Sequence, residues 1–383
     1  MTPGARAAAA IEVLDRILAG ASAEHALTNW GRASRFAGSG DRAAVRDLVF
    51  DALRKRRSSA ARGGGLTGRG LVLGLCREAG QEALFSGAGH APMPPLAEEA
   101  GREPEGAEAL DVPDWLLPKL RDSLGADTDA VLTALRDRAP VFVRVNLRKT
   151  TVDAAISALA ADGITATRHP LARACLELGG QLRKVQASPA YLEGLVELQD
   201  ASSQAVVEAL PLQDGMRVLD HCAGGGGKTL AMAARAKLTL FAHDIAPQRM
   251  ADLPARARRA GVAVTLTKAP EAEGPYDLVL VDAPCSGLGS WRRDPEGKWA
   301  LTPERLAVLG EVQADILRRA AGMVRPGGCL AYATCSMLKQ ENDGQVTRFC
   351  TDMPGWALEH SLTLTPLTGG DGFYLAILRG KAL

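Results

Sequence analysis

The spacing of apolar positions changes along the chain, and each change predicts a different kind of element. Over 5–19, Ile11, Leu14, Ile17 and Leu18 recur at helical spacing, with Gly20 as a stop. Over 41–57, Val45, Leu48, Val49, Ala52 and Leu53 share one side of a second helix. Its other side carries Arg42, Arg46, Arg54, Lys55, Arg56 and Arg57. The stretch 83–112 is rich in Gly, Pro and Glu and reads as a linker or long loop. Helical spacing returns over 113–137, and 141–150 reads as a strand leading into a small α/β region that ends near 210.

Beyond 211, short apolar runs alternate with helical segments. Strands are expected at 216–220, 238–244, 262–267, 276–282 and 329–334, and helices at 228–236, 247–260 and 303–324. Arg325-Pro326-Gly327-Gly328 is expected to halt the chain before the fifth strand, and 373–379 to add a strand in an antiparallel pair near the sheet edge. Such alternation predicts an α/β fold with a parallel, doubly wound sheet covered on both faces. The expected organisation is an all-α domain over 1–82, a loop over 83–112, a helical connection and small α/β region over 113–210, and the parallel-sheet domain over 211–383.

Composition narrows the function classes. At 383 residues the chain has room for two or three domains. No apolar run approaches the roughly 20 residues that span a bilayer, so no membrane segment is expected. The net charge of +1 gives no global attraction to nucleic acid, and any cationic surface must be local. One candidate exists: 42–69 holds eight Arg or Lys against Asp47 and Asp51, although a solvated helix face would look the same. The seven cysteines form no Cys-x-x-Cys pair, which argues against zinc, and no metal is expected. An odd number of thiols behind a start without a secretory apolar core points to a reducing cytoplasm.

The residues that carry chemistry fall at the expected carboxyl ends of strands, where open parallel sheets bind ligands. After the first strand comes Asp220-His221-Cys222-Ala223-Gly224-Gly225-Gly226-Gly227-Lys228-Thr229, a glycine-rich turn into a helix. A nucleotide P-loop would need Gly at 222, which leaves a dinucleotide, adenosylmethionine, or a loop that merely packs helix on strand. Asp244, ending the second strand, stands where a carboxylate holds ribose hydroxyls. The fourth strand ends in Asp282-Ala283-Pro284-Cys285-Ser286-Gly287 and the fifth in Thr334-Cys335-Ser336. Either cysteine alone reads as a small buried apolar residue. Two of them beside a cofactor loop suit a harder task. Carbon 5 of cytosine attacks a methyl group only after a thiolate has added to carbon 6, and an acid at Asp282 would stabilise that adduct.

With these residues the chain resembles the RsmB and Sun-domain family of RNA cytosine-5 methyltransferases. The likeness runs through Arg144-Val145-Asn146, Gln199 to Gln204, the glycine loop, Asp282 to Gly287, Arg292 to Pro295, Tyr332 to Ser336 and Asp371 to Tyr374. It implies a Rossmann-like class I methyltransferase sheet with an antiparallel edge, behind a NusB-like all-α RNA-binding domain and an RRM-like region. It further implies S-adenosyl-L-methionine as cofactor and RNA, rRNA before tRNA, as partner; the oligomeric state is left open, with a monomer as the simplest expectation. Cys335 would be the nucleophile and Cys285 would assist release, with Asp282 and Lys228 completing the catalytic group. Cys222, Ala223, Gly224, Gly225, Gly226, Gly227, Lys228, Asp244 and Asp282 would hold the cofactor. Two features depart from the family pattern. Gly224 and Gly225 replace its usual Ala-Pro, which should loosen the loop, and Lys268-Ala269-Pro270 stands where an acid is expected after the third strand. These departures keep open an assembly factor with a vestigial catalytic domain. A nicotinamide oxidoreductase would leave both thiols without a task.

Overall fold

The computed structural model describes residues 1–381. It divides into two compact units, one of Met1–Arg138 with Trp291–Leu301, the other of Ala139–Ser290 with Thr302–Leu383.

The first unit is helical. Helices Pro3–Leu18, Ala23–Ala33, Ser39–Arg54, Arg56–Arg62 and Gly68–Glu78 enclose Val13, Leu14, Trp30, Val45, Val49 and Leu71. Gly74 allows two of these helices to touch, because a Cβ there would lie 1.9 Å from the Ser59 carbonyl oxygen. The helix expected over 41–57 breaks at Lys55 into two. That over 113–137 is also split, into Leu117–Leu124 and Thr128–Ala134, around Gly125 at φ +58°. The stretch 83–112 takes the form of a long loop. It is anchored by the buried Asp111, which accepts from the backbone N–H of Arg57 and Ser58 and from the side chains of Ser58 and Arg136.

Most cations of the expected basic face are engaged within the chain. Arg54 is buried, paired with Asp51 and donating to the Arg292 carbonyl at 2.8 Å. Lys55 pairs with Glu78, Arg57 with Asp114, Arg46 with Glu24, and Arg56 lies over the Trp299 ring. Apart from Asp51, these partners lie outside 42–69, so a count over that stretch could not include them.

In the second unit, β1 (Val141–Val145), β2 (Ile164–Arg168), β3 (Cys175–Gly180) and β4 (Val196–Leu198) form an antiparallel sheet in the order β2-β3-β1-β4. With helices Val152–Ala161 and Pro189–Leu192 between strands, this is a βαββαβ unit. The larger sheet comprises β5 (Arg217–Asp220), β6 (Thr239–Ala242), β7 (Thr265–Leu266), β8 (Tyr276–Asp282), β9 (Val324–Thr334), β10 (Trp356–Leu364) and β11 (Phe373–Gly380), ordered β10-β11-β9-β8-β5-β6-β7. Strands β5 to β9 run parallel, and β11 lies antiparallel to both β9 and β10.

Alternation along these strands fills both faces. Val218, Leu278, Leu280, Ala331 and Ala333 pack against helices Ala201–Glu208 and Gly227–Arg235. Leu219, Val279, Val281, Leu330 and Tyr332 meet Leu317 of helix Pro303–Ala321 and Phe349 of helix Asp343–Asp352. Burial on both faces is why these strands read as nearly unbroken apolar runs. The chain leaves β5 towards β6 and β7, then returns to place β8 on the other side. The reversal opens a crevice beyond the carboxyl ends of β5 and β8, which places the site.

Two expectations for the parallel-sheet region are also corrected. Arg325–Gly328 does not stop the chain before the strand. β9 begins at Val324, and the pairing with β8 jumps from Tyr276↔Val324 to Leu278↔Cys329, so the Pro-Gly-Gly segment is a bulge within it. The helix expected over 247–260 is a 3₁₀ turn, Pro247–Met250, followed by helix Leu253–Ala260 with Pro254 in its first turn.

Candidate active site

β5 delivers the chain into the glycine turn, and helix Gly227–Arg235 leaves it. Gly226 has φ +79°, and a Cβ there would fall 2.2 Å from the Leu253 side chain. Gly224, at φ +49°, also occupies the left-handed region, and its N–H donates to Asp244 Oδ2 at 2.9 Å. Asp244 Oδ1 accepts the Ala246 N–H at 2.9 Å, and Arg249 lies 3.2 Å from Oδ2. The two glycines that depart from the family's Ala-Pro are thus pinned by side chains. Arg249 crosses above Gly224, and Arg256 donates to the Gly225 carbonyl.

A cleft of about 910 Å³ opens over this turn, lined by Cys222, Ala223, Gly224, Gly225, Gly227, Lys228, Asp244, Asp282, Cys285 and Cys335 among others. Of the expected catalytic and cofactor-binding residues, Gly226 alone is not part of the lining; it shapes the turn beneath. The sequence reading quoted Asp220 and His221 in the glycine turn without giving them a role, and it missed His243; all three line the cleft. Asp220 is the last residue of β5, and that position was the available signal. Nothing local marks His243.

Asp220 is buried, with Oδ2 accepting from Thr229 at 2.6 Å and Oδ1 without a partner among the described residues. Burial, reinforced by repulsion from Asp282, raises its carboxyl to about 7 even though the Thr229 hydroxyl opposes the shift. His221 stacks on His243 at 5.1 Å, and burial followed by that neighbour lowers it to about 4. Its Nδ1 also lacks a partner among the described residues. Lys268 lines the cleft where the family pattern carries an acid.

The chemistry gathers at the rim of β8 and β9. Cys285 and Cys335 are half-buried, with their Sγ atoms 3.4 Å apart. Lys228 Nζ lies 2.7 Å from Asp282 Oδ2 and 4.7 Å from the centre of the Phe373 ring. Burial works against the Lys228 charge, but Asp282 outweighs it and the ammonium holds its proton more tightly. The two thiols are driven apart. Cys335 is lowered because Cys285 donates to its thiolate, helped by Lys228 against the effect of burial. Cys285 is raised by that same hydrogen bond, by burial and by the charges of Cys335 and Glu341. Two thiols of opposite proton affinity stand side by side.

Arg144 and Gln199, noted in the sequence, are joined by a hydrogen bond of 2.7 Å that ties β1 to the cleft wall. Arg292 to Pro295 belong to the first unit.

Comparisons with known proteins agree with this arrangement. A family model described as 16S rRNA methyltransferase RsmB/F matches residues 207–379, and one for the RsmF/B-like ferredoxin-like domain matches 112–185. Ribosomal RNA small subunit methyltransferase B of Citrobacter koseri is 33% identical over 331 residues, covering 82% of this chain and 74% of the relative. Its counterpart from Salmonella arizonae is 33% identical over 285 residues, or 70% of this chain and 66% of the relative. Against several such relatives the match spans slightly less than two thirds of their length. A solved methyltransferase homologue from Pyrococcus horikoshii shares the fold, with a TM-score of 0.63 and 24% identity over 72% of this chain and 97% of its own. The Rossmann-like sheet, the βαββαβ unit and these matches lead to one conclusion: the chain belongs to the RsmB/F methyltransferase family.

Proposed function

We propose that the protein methylates carbon 5 of cytosine in RNA, most simply rRNA, using S-adenosyl-L-methionine and Cys335 as the covalent nucleophile. The observation that carries the reading is the pair of thiols 3.4 Å apart beside Lys228 and Asp282, at the mouth of a glycine-lined cleft. The residues fit the cofactor. The turn from Cys222 to Lys228 offers backbone N–H groups, Asp244 suits ribose hydroxyls, and the unpartnered Asp220 Oδ1 suits an ammonium. When bound, the cofactor supplies a methyl group on an electrophilic sulfonium.

The Cys335 thiolate adds to carbon 6, forming an S–C bond and making carbon 5 nucleophilic enough to take the methyl group. Asp282, held by Lys228, would meet N3 or N4 of the base and stabilise the adduct. Loss of the carbon 5 proton to a base then restores the 5,6 double bond and expels the Cys335 thiolate. The coupling of the thiols sets the order of events. While Cys335 is a thiolate, its hydrogen bond and charge keep the proton on Cys285. Once Cys335 is a thioether, both restraints vanish and Cys285 is freed to act in elimination. RNA suits such a site because a base in a loop or single strand unstacks cheaply.

Incubation with labelled S-adenosyl-L-methionine and unmodified rRNA, followed by nucleoside analysis, should yield 5-methylcytosine. Its absence from rRNA and tRNA alike would favour an assembly factor with an idle site. Cys335→Ala should abolish turnover, whereas Cys285→Ala should accumulate a covalent protein–RNA adduct. The adduct appearing with Cys335→Ala instead would reverse the assignment.

A further inference from the structure

The turns carrying the two thiols are joined by a side chain that touches neither sulfur. Glu341 lies in the 3₁₀ turn Lys339–Glu341 behind β9 and is fully buried. Its Oε1 accepts the Ser286 backbone N–H at 2.8 Å and Gln313 Nε2 at 3.0 Å. Its Oε2 accepts the hydroxyls of Ser286 and Ser336, each at 2.5 Å. One carboxylate therefore takes four hydrogen bonds, from the residue after Cys285, the residue after Cys335, and helix Pro303–Ala321. Gln313 also donates to the Pro284 carbonyl at 3.0 Å, which holds the other side of Cys285. Next along the chain, Asn342 accepts the Thr334 hydroxyl at 2.6 Å and donates to the Ser336 carbonyl at 3.0 Å, bracketing Cys335.

A carboxylate sealed from water is costly unless its lone pairs are occupied, and a packed apolar residue would fill the space more cheaply. Its donors here are the two cysteine turns and the helix behind them. We propose that Glu341 is a positioning residue that keeps the two thiols in register by binding the turn behind each through its seryl neighbour. Its charge acts in the same direction, because it lies on the Cys285 side and discourages that thiol from ionising. Cys285 then donates to Cys335, and Cys335 is the sulfur that reacts.

This inference rests on Cys285 and Cys335 being the reacting pair, but its test needs neither RNA nor a methyl donor, so the two can fail separately. The rate of Cys335 alkylation by iodoacetamide is followed by peptide mass spectrometry across pH, in the full chain and in Glu341→Ala, Cys285→Ala and the double variant, each with a cooperative thermal melt. Glu341→Ala should move the Cys335 profile about one unit upward, a roughly tenfold slower reaction on the acid limb. Cys285→Ala should do the same, and the double variant should add little, because Glu341 acts through the thiol pair. A Glu341→Ala profile coincident with that of the unaltered protein would overturn the proposal, as would fully additive shifts. Should Glu341→Ala lose its cooperative melt, Glu341→Gln, which keeps the shape, is read by the same criterion.

Discussion

Asp220 sits in an environment that departs far from what its type ordinarily meets. A carboxyl raised from 3.8 to about 7 is protonated in the folded chain over a range where the unfolded chain has ionised. A raised carboxyl contributes stability that is complete below about pH 4 and disappears as pH rises to about 7, at up to about 1.4 kcal/mol per unit. Asp220→Asn removes that titration. Its melting temperature relative to the unaltered protein should therefore climb by several degrees between about pH 4 and pH 7 and level off above, as followed by scanning calorimetry. A difference that is flat with pH would show that Asp220 is ionised throughout. The same substitution should weaken S-adenosyl-L-methionine binding if Oδ1 receives the cofactor's ammonium.

At the scale of elements, the glycine turn matters more than the helix it opens. Gly226 combines a positive φ with a side chain directly against the missing Cβ, so Gly226→Ala should cost about 1–3 kcal/mol and displace the turn. Cofactor binding measured by calorimetry should then fall by at least about tenfold. Unchanged affinity would mean that Leu253 and the backbone relax freely. Much of this element was legible in the sequence, because a run of glycines between an apolar strand and an apolar helix has few other uses. The ends of β8 and β9 were legible for the same reason, as was the antiparallel position of β11. Strand β10 was not. Most of its residues are exposed at the sheet edge, so it lacks the apolar alternation by which strands are recognised. The bulge in β9 was missed because Pro-Gly-Gly has the same local signature in a bulge as in a turn.

For the whole molecule, the question is where positive charge reaches solvent. Between 42 and 57 the arginines are spent on internal contacts, and Arg54 and Arg57 bind backbone carbonyls of Arg292 and Val112. Arg54→Ala should therefore destabilise the first unit by about 1–3 kcal/mol, because it leaves a buried acceptor unpaired. The slope of RNA affinity against salt should not change. A slope reduced by about one unit would show that Arg54 meets phosphate after all. The first unit is also discontinuous in sequence. Trp291–Leu301 leaves the sheet-bearing stretch to pack there, with Lys298 buried and donating to the Arg54 carbonyl. Reading the chain in order assigned that segment to the parallel-sheet domain, since no local pattern announces such a return.

The sequence alone determined what depends on neighbours a few residues apart: helical and strand periods, the glycine turn, and the strand ends where two cysteines stand. Those patterns survive because a strand buried on both faces and a left-handed glycine impose their demands locally. Only the tertiary structure decided which side chains meet: that Cys285 lies against Cys335, that Glu341 joins their turns, that Asp220 is sealed from water, and that Arg54, Lys55 and Arg57 are held by partners within the chain. Each of those depends on groups tens or hundreds of residues apart, whose energies are set by distance and burial, and neither exists until the chain has folded.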